Sequence, residues 1–113
     1  MSKPVYRVKD WDANFEKAQS RKCVRTHWVA LSNKWDGKRY RRVMKHERQA
    51  EIFAAWVLIV QIASRCEPRG VLQDDEGGLD AEDMADCTGL SVEAFELALE
   101  VLCQPRIGWL ERV

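Results

Sequence analysis

Residues 52–60, IFAAWVLIV, are apolar without a break and dominate the hydrophobic pattern of the chain. They lie inside a longer stretch, 48–65, that contains neither Pro nor Gly. Its alanines and long flanks predict a helix over 51–66. A helix apolar on almost every side must be buried on almost every side. At about 1.5 Å per residue its apolar part is too short to span a bilayer. It is therefore expected as the central helix of a small domain with no membrane partner.

The pattern on either side predicts shorter elements. Residues 5–11 alternate between apolar and polar positions and predict a short strand, a candidate sheet edge. Residues 12–19 predict one or two helical turns with Phe15 and Ala18 inward, and 27–31 an extended segment or short helix. Asp36-Gly37 marks a turn. In the basic stretch that follows, Tyr40, Val43 and Met44 share one helical face.

Pro68 and Gly70 end the central helix. Val71-Leu72 predicts a short strand, and 73–78 an acidic, flexible loop. Asp80 caps the next helix, with Asp83 in its acidic first turn and Leu79, Met84 and Ala85 inward. A turn at 88–91 leads to Ser91 as N-cap of a helix over 92–103, with Phe95, Leu99 and Leu102 inward. Residues 107–113 predict a closing strand, with Val71-Leu72 as its partner. The expected core is Phe53, Trp56, Val57, Val60, Phe95, Leu99 and Leu102, and Trp11 and Trp28 also read as core. The fold class is mainly α with a small β component. The order matches a winged helix-turn-helix: one domain over 1–113, with a strand and turn extension over about residues 1–35.

The formal net charge is zero, but the zero hides a split. Residues 1–50 hold 14 Lys/Arg against 5 Asp/Glu, and 51–113 hold 4 against 13. The halves of one fold can simply attract each other, or one face can meet nucleic acid while the other meets something else. The densest basic run is 38–48, with Lys38, Arg39, Arg41, Arg42, Lys45 and Arg48 against Glu47 alone. These side chains suit phosphate neutralisation, with Arg21, Lys22 and Arg25 as an extension and His46 beside them. Tyr40 or Trp35 can stack on an unpaired base. A solvated helix start is the alternative for the whole run.

The four cysteines, Cys23, Cys66, Cys87 and Cys103, form no close pair, and residues 1–10 have no apolar run of the kind a secretory leader needs, so export is not expected. They are expected as mostly buried free thiols in a reducing, cytoplasmic compartment. Cys23 and His27 lie four apart, but no motif completes a zinc set or a nucleophile–base pair. Asp74, Asp75, Glu76, Asp80 and Asp83 lack calcium-loop spacing. No metal, cofactor or enzymatic activity is expected.

A resemblance runs through Asp10-Trp11 and Phe15, Trp28-Val29, Asn33-Lys34, Asp36-Gly37 and Tyr40. It continues in Ala55-Trp56, Gln61, 63–66, Pro68-Arg69-Gly70 and 108–111. In the order and spacing of these pieces the chain resembles the N-terminal domain of phage and prophage replication proteins, the replisome-organiser or DnaD-like group. The resemblance implies a winged helix, usually followed by a charged linker and a second segment. It also implies DNA binding or replisome assembly in a host cytoplasm. One departure stands out. The helix after the turn, where a recognition helix belongs, offers Glu93, Glu96 and Glu100 and no Lys or Arg. Carboxylates facing a phosphate backbone are repulsive overall. Two expectations follow. One is a DNA-binding or replisome-assembly accessory domain with 38–48 on the phosphates. The other is a winged-helix interaction or self-association module that does not bind DNA, in which the acidic helix 92–103 and the opposite basic face dock replication proteins or a second copy.

Overall fold

The computed structural model describes residues 3–16, 29, 31 and 36–113. Among the described residues nine elements follow in order: β1 (Tyr6–Val8), α1 (Trp11–Asn14), α2 (Lys38–Met44), α3 (Gln49–Ser64), β2 (Val71–Asp74), β3 (Gly77–Gly78), α4 (Ala81–Thr88), α5 (Val92–Leu102) and β4 (Leu110–Arg112). The domain is mainly helical with a small antiparallel sheet.

The central helix forms as its composition predicts. Ile52, Ala55, Trp56, Ile59, Val60 and Ala63 are buried, the i, i+3, i+4, i+7 stripe of a core-facing helix. Phe53 and Val57, expected in the core, flank that stripe and are half-buried. Against α3 pack α5, whose Phe95, Ala98, Leu99 and Leu102 are buried, and α2, whose Val43 is buried.

Local chemistry fixes the helix pair α4–α5. Asp80 and Asp83 form a reciprocal capping box, each carboxylate accepting from the other's backbone N–H (2.8 and 3.0 Å). Gly89 ends α4 in the left-handed region at φ 84°, where glycine carries no steric penalty. Ser91 then caps α5 by accepting from the Ala94 N–H.

The sheet order is β3-β2-β1-β4, which corrects two expectations. The N-terminal strand is not an edge. It lies between β2 and β4, with Tyr6 opposite both Leu72 and Arg112. Consequently Val71-Leu72 is not the partner of the closing strand, since both pair with β1. In this arrangement β1 keeps both backbone edges hydrogen-bonded while Val8 is buried. The acidic stretch 73–78 is ordered by pairing: Gln73 faces Gly78, Asp74 faces Gly77, and the Asp74 carboxylate accepts from the Glu76 N–H.

The cysteines also differ from expectation. Cys87 is exposed, and Cys66 and Cys103 are only half-buried. Cys87 falls on the outward side of the amphipathic helix α4, whose buried positions are Ala81 and Met84. Cys23 lies outside the described residues, as do Ala18, His27, Trp28 and Trp35.

Candidate nucleic-acid interface

Helix α2 carries the basic run. Gly37 precedes it in extended conformation, and the turn that opens at Asp36 releases the chain into the helix. Val43 is fully buried against α3, and Tyr40 and Met44 are half-buried beside it. That anchorage leaves Lys38, Arg39, Arg41, Arg42 and Lys45 exposed. Lys38, Arg41 and Lys45, spaced three and four apart, make a stripe along the outer surface.

The cations are not equivalent. Arg48 is held by Glu51 through two contacts of 2.6 and 3.0 Å. The hydrogen bonds to that carboxylate, with its negative charge, push the Arg48 guanidinium pKa up. They hold the Glu51 carboxyl below the usual carboxylate range. Glu93 and Glu47 add to the negative field around Arg48. Arg42 donates to the Arg106 carbonyl at the start of the closing segment. In contrast, Lys38, Arg39, Arg41 and Lys45 have no carboxylate partner among the described residues. Arg21, Lys22 and Arg25 lie outside the described residues.

Beside α2 the structure opens a cavity of about 580 Å³. Its walls are Phe15, Tyr40, Phe53, Trp56 and Trp109, with Leu31 at one side. The rings form a continuous chain. Trp11 stacks on Phe15 at 4.8 Å between centroids, and Phe15 meets Trp56 edge-on at 6.2 Å. Trp56 meets Trp109 at 5.0 Å, Trp109 meets Tyr40 at 6.4 Å, and Tyr40 meets Phe53 at 5.7 Å. Trp11 and Trp56 are core residues, 7% and 8% exposed.

Lys9, Lys38 and Arg39 stand around this cavity, and Asp10 is its one lining carboxylate among the described residues. Arg39 and Lys9 both approach Gly108. Their Nη1 and Nζ lie 3.6 and 4.0 Å from the position a Cβ on Gly108 would take. The backbone ties this corner together, for the Lys9 N–H donates to the Trp109 carbonyl at 3.0 Å. Below it, the Trp11 indole N–H donates to Glu16, which also pairs with Arg69 at 3.0 Å in a poorly exposed ion pair.

Sequence reasoning singled out Tyr40 and the α2 cations as candidates. It missed Lys9, and it missed that Phe15, Phe53 and Trp109 join Tyr40. Those aromatics are scattered from residue 15 to residue 109, and only the packing of α1, α2, α3 and the approach to β4 unites them.

On the acidic side, Glu93, Glu96 and Glu100 are all exposed along α5. Glu96 and Glu100 border an open depression of about 410 Å³ with Tyr6, Leu99, Cys103 and Arg112. Among the described residues no group of three or more His, Cys, Asp or Glu is placed to hold a metal ion, and no helix is long and apolar enough to cross a membrane. Comparison with models of known protein families, with curated proteins and with solved structures finds no match.

Proposed function

We propose that this domain binds DNA through the outer surface of α2, as a non-enzymatic accessory domain of the replisome-organiser kind, in the cytoplasm. In this reading α3, β2, α4, α5 and β4 make a winged helix-turn-helix in which the helix after the turn does not lead. One observation carries it. Lys38, Arg39, Arg41 and Lys45 are exposed and have no carboxylate partner among the described residues, while Arg48 on the adjoining turn is internally neutralised. Exposed cations concentrated on one short helix supply the sequence-independent affinity of protein–DNA contacts. Helix α5, with three exposed carboxylates, repels the same backbone.

Binding of duplex and single-stranded DNA across a salt series tests this reading. Arg41→Ala with Lys45→Ala is the informative variant, since Arg42 also holds the Arg106 carbonyl. The double variant is expected to bind more weakly and to lower the salt slope by about 2, roughly 1 per lost phosphate contact. Glu93→Gln with Glu96→Gln is expected to leave binding unchanged or slightly stronger. Absence of binding to either DNA form near 50 mM salt, a range where such contacts are strong, sinks the proposal.

The depression beside Glu96 and Glu100 favours a second reading, docking of a basic partner or a second copy on α5. Sedimentation of the glutamine variant over a concentration series tests it: weaker self-association than the parent supports the second reading.

A further inference from the structure

We infer that the aromatic cavity beside α2 receives an unstacked base of single-stranded DNA, with the adjoining phosphate held between Arg39 and Lys9. The inference rests on the proposed DNA-binding role of α2 and names the form of DNA that its site takes. Three observations converge. The cavity, about 580 Å³, falls in the size range of small-ligand sites. Tyr40 and Trp109 in its wall are both half-buried, so each keeps accessible surface. Around it stand Lys9, Lys38 and Arg39 against Asp10, and the first and last of the cations converge on Gly108 without a carboxylate partner among the described residues.

Two like charges brought to one glycine repel each other unless an anion comes between them. A phosphate supplies that anion beside the Pro105 carbonyl oxygen, which lies 3.7 Å from the same Gly108 position. The aromatic wall supplies what a phosphate alone does not use, a surface for the flat face of a base. In a duplex the bases are stacked on each other and the wall stays empty. In a single strand each base is free to leave its neighbour, and stacking on protein aromatics tolerates any sequence. The cations hold the phosphates of either form, and the ring surface selects the single strand over the duplex.

Fluorescence anisotropy with a labelled oligo-dT, and with a duplex of equal length at the same salt, tests this. The strand is expected to bind more tightly than the duplex. Tyr40→Ala is expected to weaken strand binding by about 10-fold, the order of one lost base–aromatic stack. It should leave duplex binding unchanged, and Tyr40→Phe should restore the strand. Because Tyr40 also packs on Phe53 and Trp109, a second measurement uses the unaltered protein. An oligo-dT carrying 5-iododeoxyuridine is irradiated and the crosslink mapped, with attachment expected at Tyr40 or Trp109. Equal affinity for strand and duplex, or crosslinks confined to other residues, overturns the inference and leaves phosphate binding by α2 standing. Tighter binding of an oligo-U RNA overturns the assignment to DNA. No binding of any form overturns both proposals.

Discussion

Gly70 leaves no room for a side chain against Trp11: a Cβ on Gly70 would lie 2.7 Å from both Cβ and Cγ of the tryptophan. The same glycine has φ 93°, donates to the Ala63 carbonyl and accepts from the Val8 N–H, so it ties the end of α3 to β1. Gly70→Ala therefore combines a left-handed penalty of about 1–2 kcal/mol with overpacking of about 1–3 kcal/mol. Gly89→Ala meets only the first, since nothing lies within 4 Å of its Cβ position. Urea unfolding of the two variants is expected to show Gly70→Ala clearly the less stable. Equal losses would mean that the Trp11 contact relaxes without cost.

Trp56 joins the core to the cavity wall. It is 8% exposed and touches the rings of Phe15 and Trp109. Trp56→Ala is expected to cost about 3–5 kcal/mol, as for a large buried aromatic. Phe53→Ala, at a half-buried position on the flank of α3, is expected to cost less. Denaturant midpoints with unchanged slopes measure both, and a loss below about 1 kcal/mol for Trp56 contradicts its place in the core.

The capping box of α4 gives stability a pH dependence. The Asp83 carboxyl is held below its ordinary 3.8, first by the Asp80 backbone N–H and then by the Lys3 ammonium. The folded value being the lower one, this contribution is complete above the unfolded value and fades as pH falls through the folded one. Asp83→Asn is therefore expected to be less stable than the parent at neutral pH. The gap should narrow as the medium is acidified below roughly pH 4, near the ordinary carboxylate value. Thermal melts at neutral and acid pH check this, and a gap that stays constant rules out the ionised cap.

Thiol reactivity should follow exposure. Cys87 faces solvent, whereas burial pushes the Cys66 and Cys103 thiols up from their ordinary 9.0 and reduces their thiolate fraction. Alkylation by iodoacetamide at neutral pH, mapped by peptide mass, is expected to label Cys87 before Cys66 and Cys103. Earlier labelling of Cys103 would indicate that the end of α5 opens readily.

What the sequence disclosed was local. The unbroken apolar run located α3, and the turn chemistry of Asp80, Gly89 and Ser91 located the helix pair, because these signals act over three or four residues. The place of Tyr6–Val8 was hidden, since alternation fixes a strand's faces and says nothing about which strands flank it. Half of the candidate site was hidden for the same reason. The cations of α2 are adjacent in sequence, but Lys9, Phe15 and Trp109 reach Tyr40 only through the sheet and the central helix. The internal neutralisation of Arg48 was also missed, although Glu51 lies at the i+3 position where such pairs form.

That neutralisation separates two kinds of arginine. Arg39 stands at the cavity with no carboxylate partner among the described residues, while Arg48 is bonded to Glu51 and lies in the field of Glu93 and Glu47. A guanidinium already satisfied by carboxylates gains little from a phosphate, because the new contact replaces an old one. Arg39→Gln is therefore expected to lower the salt slope of DNA binding by about 1, the amount for one phosphate contact. Arg48→Gln is expected to leave the slope unchanged and to act on the start of α3 instead, where Arg48 is the N-cap residue. Salt titrations and thermal melts of both variants form the measurement. A loss of slope in Arg48→Gln equal to that in Arg39→Gln would mean that DNA displaces Glu51, and that the basic surface extends beyond α2 to the head of the central helix.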